Sequence, residues 1–196
     1  MSTVVGRVAA LVALVVAAIV VVVLLAIVYI LIRNGIIASR NRVDEAWSGI
    51  DVQLKRRHDL VPNLVETVKG YAQHEQRVFE KTAEARAEAI KSAGFQQTQE
   101  AEAKLSGALT ELRAVAENYP DLRATENFQR MQADLNEIED EIQASRRIYN
   151  SNVQAYNTKI QIFPNSLVAA TSDFEPREFF EIETAAEREP VEVRFS

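Results

Sequence analysis

A chain of 196 residues without cysteine has no disulfide framework, no thiolate nucleophile and no thiolate metal site. Its 22 Lys and Arg against 28 Asp and Glu give a net charge of −6, which argues against a nucleic-acid partner. Only six Gly and five Pro, amid abundant Ala, Glu, Gln, Arg and Leu, point to helix.

Residues 1–7 are too short to fold alone and are expected as a short extracytoplasmic N-terminus. Residues 8–32 then hold 18 Val, Ile or Leu, six Ala and Tyr29 in 25 positions without a charge. As a helix this run would be roughly 37 Å long, enough to cross a hydrocarbon core of about 30 Å with some tilt. A cleaved signal peptide fits poorly, because its apolar segment would be only about 7 to 15 residues. On one flank stand Arg7 and the α-amino group. On the other stand Arg33, Arg40 and Arg42, followed by Lys55, Arg56 and Arg57. The positive-inside rule therefore places the following domain in the cytoplasm, tethered to a bacterial inner membrane with the N-terminus outside. Ala9, Ala13 and Ala17 form a row of small residues along which two spans could approach closely.

Residues 33–163 are expected to form an all-α domain, an up-and-down antiparallel four-helix bundle. Asn34-Gly35 is its first candidate hinge. The first helix, about 36–73, carries an apolar stripe at Val43, Trp47, Ile50, Leu54, Val61, Leu64, Val68 and Tyr71. Between Leu54 and Val61 the seam falls to Arg57 or His58, and Pro62 removes the backbone bond to the carbonyl of His58. The expected result is a bent helix with Arg57 reaching water along its aliphatic stem. A second helix begins near His74-Glu75, with Val78, Phe79, Ala83, Arg86 and Ile90 on its faces, and Ser92-Ala93-Gly94 ends it. The third, about 97–117, has the stripe Ala101, Leu105, Ala108, Leu112, Val115. Tyr119-Pro120-Asp121-Leu122 makes a corner into the fourth helix, about 120–162. That helix keeps coiled-coil regularity through Phe128, Met131, Leu135, Ile138, Ile142, Ser145, Tyr149, Asn152 or Val153, Tyr156, Ile160 and Phe163. Residues 164–196 read as an acidic extended tail whose phenylalanines dock on the bundle and whose last dozen residues are disordered.

The motif Ala46-Trp47-Ser48-Gly49-Ile50-Asp51-Val52-Gln53-Leu54-Lys55-Arg56-Arg57, continuing His58-Asp59-Leu60-Val61-Pro62-Asn63-Leu64-Val65 and ending Lys69-Gly70-Tyr71-Ala72, closely resembles the LemA family. Glu117-Asn118-Tyr119-Pro120-Asp121-Leu122, Glu126-Asn127-Phe128, Ala144-Ser145-Arg146-Arg147-Ile148-Tyr149-Asn150, Tyr156-Asn157, Phe163-Pro164 and Phe179-Phe180-Glu181 look like that family's later motifs, in order. The resemblance covers essentially the whole chain after the span, and departs from the pattern at His58, where an aromatic is expected. It implies a single-pass bacterial membrane protein with a short outer N-terminus, a cytoplasmic helical bundle and no established enzymatic activity.

No constellation in the chain looks catalytic, and no cofactor is expected. His58 and His74 lie 16 residues apart without further ligands at a zinc-binding spacing, so no metal is expected either. The run Glu137, Glu139, Asp140, Glu141 reads as a solvated helix face. Helices one and four, roughly 57 and 64 Å, would outrun the second and third, at about 30 Å. The excess leaves an apolar, aromatic surface that something must cover. The candidate interaction surface is Trp47, Ile50, Leu54, Arg57, Tyr149, Asn150, Tyr156 and Asn157. Its expected cover is a second copy of the chain or another protein, with the chain's own tail as the alternative. The expected partners are thus the lipid bilayer and a homo-oligomer or protein partner. The function expected is a membrane-anchored scaffold or adaptor. The alternative is a non-catalytic regulatory subunit of a membrane enzyme, such as a membrane protease or envelope-maintenance complex.

Overall fold

The computed structural model describes the backbone of residues 2–180 and the side chains from Leu11 onward. The side chains of Arg7 and Ala9, and the acidic tail beyond Phe180, lie outside the described residues. Those described form helices only: α1 (Ser2–Lys69), α2 (Gln76–Lys91), α3 (Phe95–Glu117), α4 (Pro120–Arg123), α5 (Glu126–Gln161) and α6 (Asn165–Ala170).

Helix α1 does not stop between the apolar N-terminal run and the residues that follow it. At the expected hinge, Asn34-Gly35, the helix continues because the weak point is supported from outside. Lys159 Nζ donates a 2.7 Å hydrogen bond to the Gly35 carbonyl. A Cβ at Gly35 would stand 3.4 Å from that same Nζ, an ordinary contact with the end of a flexible side chain. The helix also passes through Pro62 without ending. It closes at Lys69, a cation suited to the C-terminal dipole, where the Gly70 amide turns back to Glu66.

Gly94 has φ 84, a left-handed conformation that favours glycine, and it makes Phe95 the first residue of α3. The expected fourth helix is two elements. Pro120 opens the single turn α4, which ends at Arg123. Thr125 then starts α5 afresh: its Oγ1 donates to the Leu122 carbonyl at 2.7 Å and accepts from the Phe128 amide at 3.4 Å. The other end of α5 also differs. The helix stops at Gln161, so Phe163, expected on its stripe, is 78 % exposed. The tail is not wholly extended either, since α6 forms before residues 174–180 run out without regular structure.

The chain divides into two compact units. One comprises α1 up to Glu45 together with Ser151–Glu178. Its buried apolar side chains are Ile36, Val43, Val153, Tyr156, Ile160, Val168 and Ala169. The other comprises Ala46–Asn150 with Phe179 and Phe180. Its core joins Val61, Leu64 and Val68 of α1, Phe79, Ala85 and Ala89 of α2, the α3 stripe Ala101, Leu105, Ala108 and Leu112, Leu122 of α4, and Phe128, Met131 and Leu135 of α5. The three-four spacings therefore pack as expected on α1, α3 and α5. On α2 the buried row is Phe79, Thr82, Ala85 and Ala89, whereas Ala83 and Ile90 face water. Tyr71 is exposed as well, because α1 ends before it.

Candidate functional site

Six of the eight candidate surface residues fall in the second unit, where they serve two different constructions. The first is an ion cluster. Arg57, expected to reach water, is instead 0 % exposed. Its guanidinium bonds to Glu102 of α3 and to Glu139 of α5 at 2.7 Å, and donates to Ser106 Oγ at 3.1 Å. His58 Nε2 stands 2.6 Å from the other oxygen of Glu102, which is itself 1 % exposed. A charge this deep persists only when it is neutralised and hydrogen-bonded.

The electrostatics follow from that arrangement. Burial works against the charge on Arg57, but Glu139 and Glu102 outweigh it and hold the guanidinium above its ordinary pKa. Burial likewise opposes the Glu102 carboxylate, yet the hydrogen bond from His58 and the adjacent Arg57 bring its pKa below the usual range. Asp51 moves the other way, upward, chiefly through burial. Ile50 and Leu54, on the same helix, are buried apolar residues. The acidic run of α5 is thus split: Glu139 turns inward to Arg57, whereas Glu137, Asp140 and Glu141 stay exposed.

The second construction is an aromatic box. Trp47 of α1, Phe95 of α3, Tyr149 of α5 and Phe180 of the C-terminal segment bring all six pairs of their rings within 5.0–5.8 Å of each other. Trp47 stacks on Phe180 with 16° between ring planes and Phe95 on Tyr149 with 21°, while Trp47–Tyr149, Phe95–Phe180 and Tyr149–Phe180 meet edge-on, as ring quadrupoles favour. The Arg146 guanidinium lies 4.9 Å from the centre of the Phe180 ring. Asn150 holds the same residue by its backbone: Nδ2 donates to the Phe180 carbonyl at 3.0 Å and Oδ1 accepts from the Phe180 amide at 2.8 Å. One asparagine thereby satisfies both polar groups of an extended residue, as the neighbouring strand of a sheet would.

Tyr156 and Asn157 belong to the first unit, and there the pattern recurs. Asn157 Nδ2 donates to the Arg177 carbonyl at 2.9 Å, and its Oδ1 accepts from the Arg177 amide at 2.9 Å. Tyr156 donates to the Glu175 carbonyl at 3.0 Å, and burial pushes its pKa up. Arg177 also donates to Asp44 at 3.0 Å, and Arg40 lies 5.7 Å from the centre of the Phe174 ring.

Sequence reasoning missed Glu102, although four residues after Thr98 and three before Leu105 it sits on the buried row of α3. Phe95 escapes sequence reasoning because Gly94 reads as closing one helix, whereas it also opens the next. The paired Tyr-Asn steps at 149–150 and 156–157 were the signal for both asparagines.

A family model described as LemA family matches residues 46–195. The chain is similar to "Magnetosome protein MamQ 2" of Paramagnetospirillum magneticum, at 25% identity over 166 residues covering 71% of this chain and 61% of that protein. It is similar to "Protein LemA" of Metamycoplasma hominis, at 27% identity over 167 residues covering 84% and 74%. "Magnetosome protein MamQ" of Magnetospirillum gryphiswaldense is 24% identical over 159 residues covering 68% and 58%. The chain thus spans 61% of the first magnetosome relative and 58% of the last.

Proposed function

Because the chain belongs to the LemA family, we propose that it is a membrane-anchored, non-catalytic scaffold or adaptor that acts through protein–protein contacts at the cytoplasmic face of a bacterial inner membrane. The observation that carries the reading is the N-terminal part of α1. It is long and apolar enough to cross a bilayer, and its large side chains from Leu11 to Leu31 are exposed within the chain, so lipid is the medium that suits them. In this reading residues 1–7 lie outside, 8–32 span, 33–163 form an up-and-down four-helix bundle in the cytoplasm, and 164–196 follow it as the acidic tail. A structural rather than catalytic use of the chain's ionisable interior is supported by the pairing of Arg57 with Glu102, whose other oxygen is hydrogen-bonded to His58. The partner proposed is a second copy of the chain.

Purification of the full chain in mild detergent, with particle mass from light scattering, tests this. A homo-oligomer without other proteins is the expected result. A stoichiometric membrane enzyme in the particle would overturn it in favour of a regulatory subunit.

A further inference from the structure

We propose that the aromatic box is a peptide-binding site whose working occupant is Phe180 of a second copy, so that two copies associate by exchanging their C-terminal segments. This deepens, and rests on, the proposal that the chain associates with itself. The contacts described for Phe180 are indifferent to the chain it comes from. Asn150 reads only backbone, through two hydrogen bonds, and the rings of Trp47, Phe95 and Tyr149 with the guanidinium of Arg146 ask only for an aromatic side chain. The segment that brings Phe180 has no helix or strand of its own over residues 174–180. It follows a turn at Asp173, whose φ is 49.

A second copy is the occupant with demonstrated complementarity, because it carries the segment seen in the site. Exchange is also reciprocal: each copy gives one Phe180 and receives one, so no contact of the box is lost. What opposes exchange is the high effective concentration of a chain's own segment, together with the bonds of Tyr156, Asn157 and Asp44 to residues 175 and 177, which an arriving segment has to remake. Confinement of copies to one membrane raises the competing concentration of the neighbour's segment in the same way.

The sole Trp of the chain, Trp47, stacks on Phe180 and reports the occupant directly. The acceptor is the full chain with Phe180→Ala, whose empty box changes the Trp47 emission; a chain ending at Glu178 is a second acceptor should the first fold poorly. The donor is the full chain with Asn150→Ala and Trp47→Phe, which is dark and releases its own Phe180. Mixing should restore the wild-type emission saturably, and a donor that also carries Phe180→Ala should not. A synthetic peptide of residues 174–181 should bind the acceptor, and about tenfold more weakly when Asn150 is also Ala, since a buried backbone donor and acceptor then lose their partners. Restoration by the peptide but not by the donor chain would overturn the second copy and leave an intramolecular latch. Restoration by neither would overturn the site. A wild-type oligomer whose mass survives Phe180→Ala would leave self-association standing and sink exchange as its cause.

Discussion

Replacing Glu102 by Gln removes the more deeply buried of the two carboxylates that neutralise Arg57, and leaves a guanidinium with no route to water. Breaking a buried pair in this way should cost about 3 kcal/mol, at the low end of such losses because Glu139 still faces Arg57. Changing both partners together, Arg57→Leu with Glu102→Leu, should recover most of that loss, because no charge then remains stranded. Urea unfolding of the full chain in detergent measures both; equal destabilisation by the single and double changes would mean that the cluster stabilises by more than neutralisation. The same residue sets the acid limit. The folded pKa of Glu102 is depressed, so its contribution is complete above the unfolded value of about 4.3 and is lost as pH falls through the folded value. Melting temperature should therefore drop on acidification below about pH 4, and more steeply in the wild type than in Glu102→Gln.

Between residues and elements the sequence was legible wherever an apolar side chain recurred every three or four positions. Val61, Leu64 and Val68, then Leu105, Ala108 and Leu112, then Phe128, Met131 and Leu135 are buried as their spacing requires. It was less legible where a polar group decides. Asn34-Gly35 reads as a break, but a lysine 124 positions later supports the Gly35 carbonyl, which no local pattern contains. The corner at residues 119–122 reads as the start of one long helix, yet Thr125 caps a new one. Asp121 in the first turn of the four-residue α4 has a short dipole to complement, so Asp121→Ala should cost no more than about 0.3 kcal/mol. Thr125→Ala removes the side-chain acceptor of the Phe128 amide and should cost about 1 kcal/mol. Thermal melts of the two variants should separate in that order; the reverse order would return the corner's importance to Asp121.

At the scale of the whole molecule the decisive quantity is the balance of charge about the span. Arg33, Arg40 and Arg42 follow it, against Arg7 before it, and the cost of moving basic residues across a bilayer should hold the larger cluster in the cytoplasm. Arg40 has a second attachment, since its guanidinium lies over the Phe174 ring, whereas Arg33 and Arg42 are exposed and free to act through charge alone. A cytoplasmic reporter fused after Ser196 should accordingly be active and a periplasmic one silent. Arg33→Ala with Arg42→Ala leaves Arg40 and the distant Lys55 and Arg56 against Arg7 and the α-amino group. That near balance should yield a mixed population in which both reporters register. Adding basic residues before Val8 in the same variant should shift the population further toward the periplasmic reporter. A periplasmic signal from the unaltered chain would place everything after the span on the other side of the membrane, and the second copy or other partner would then have to be sought there.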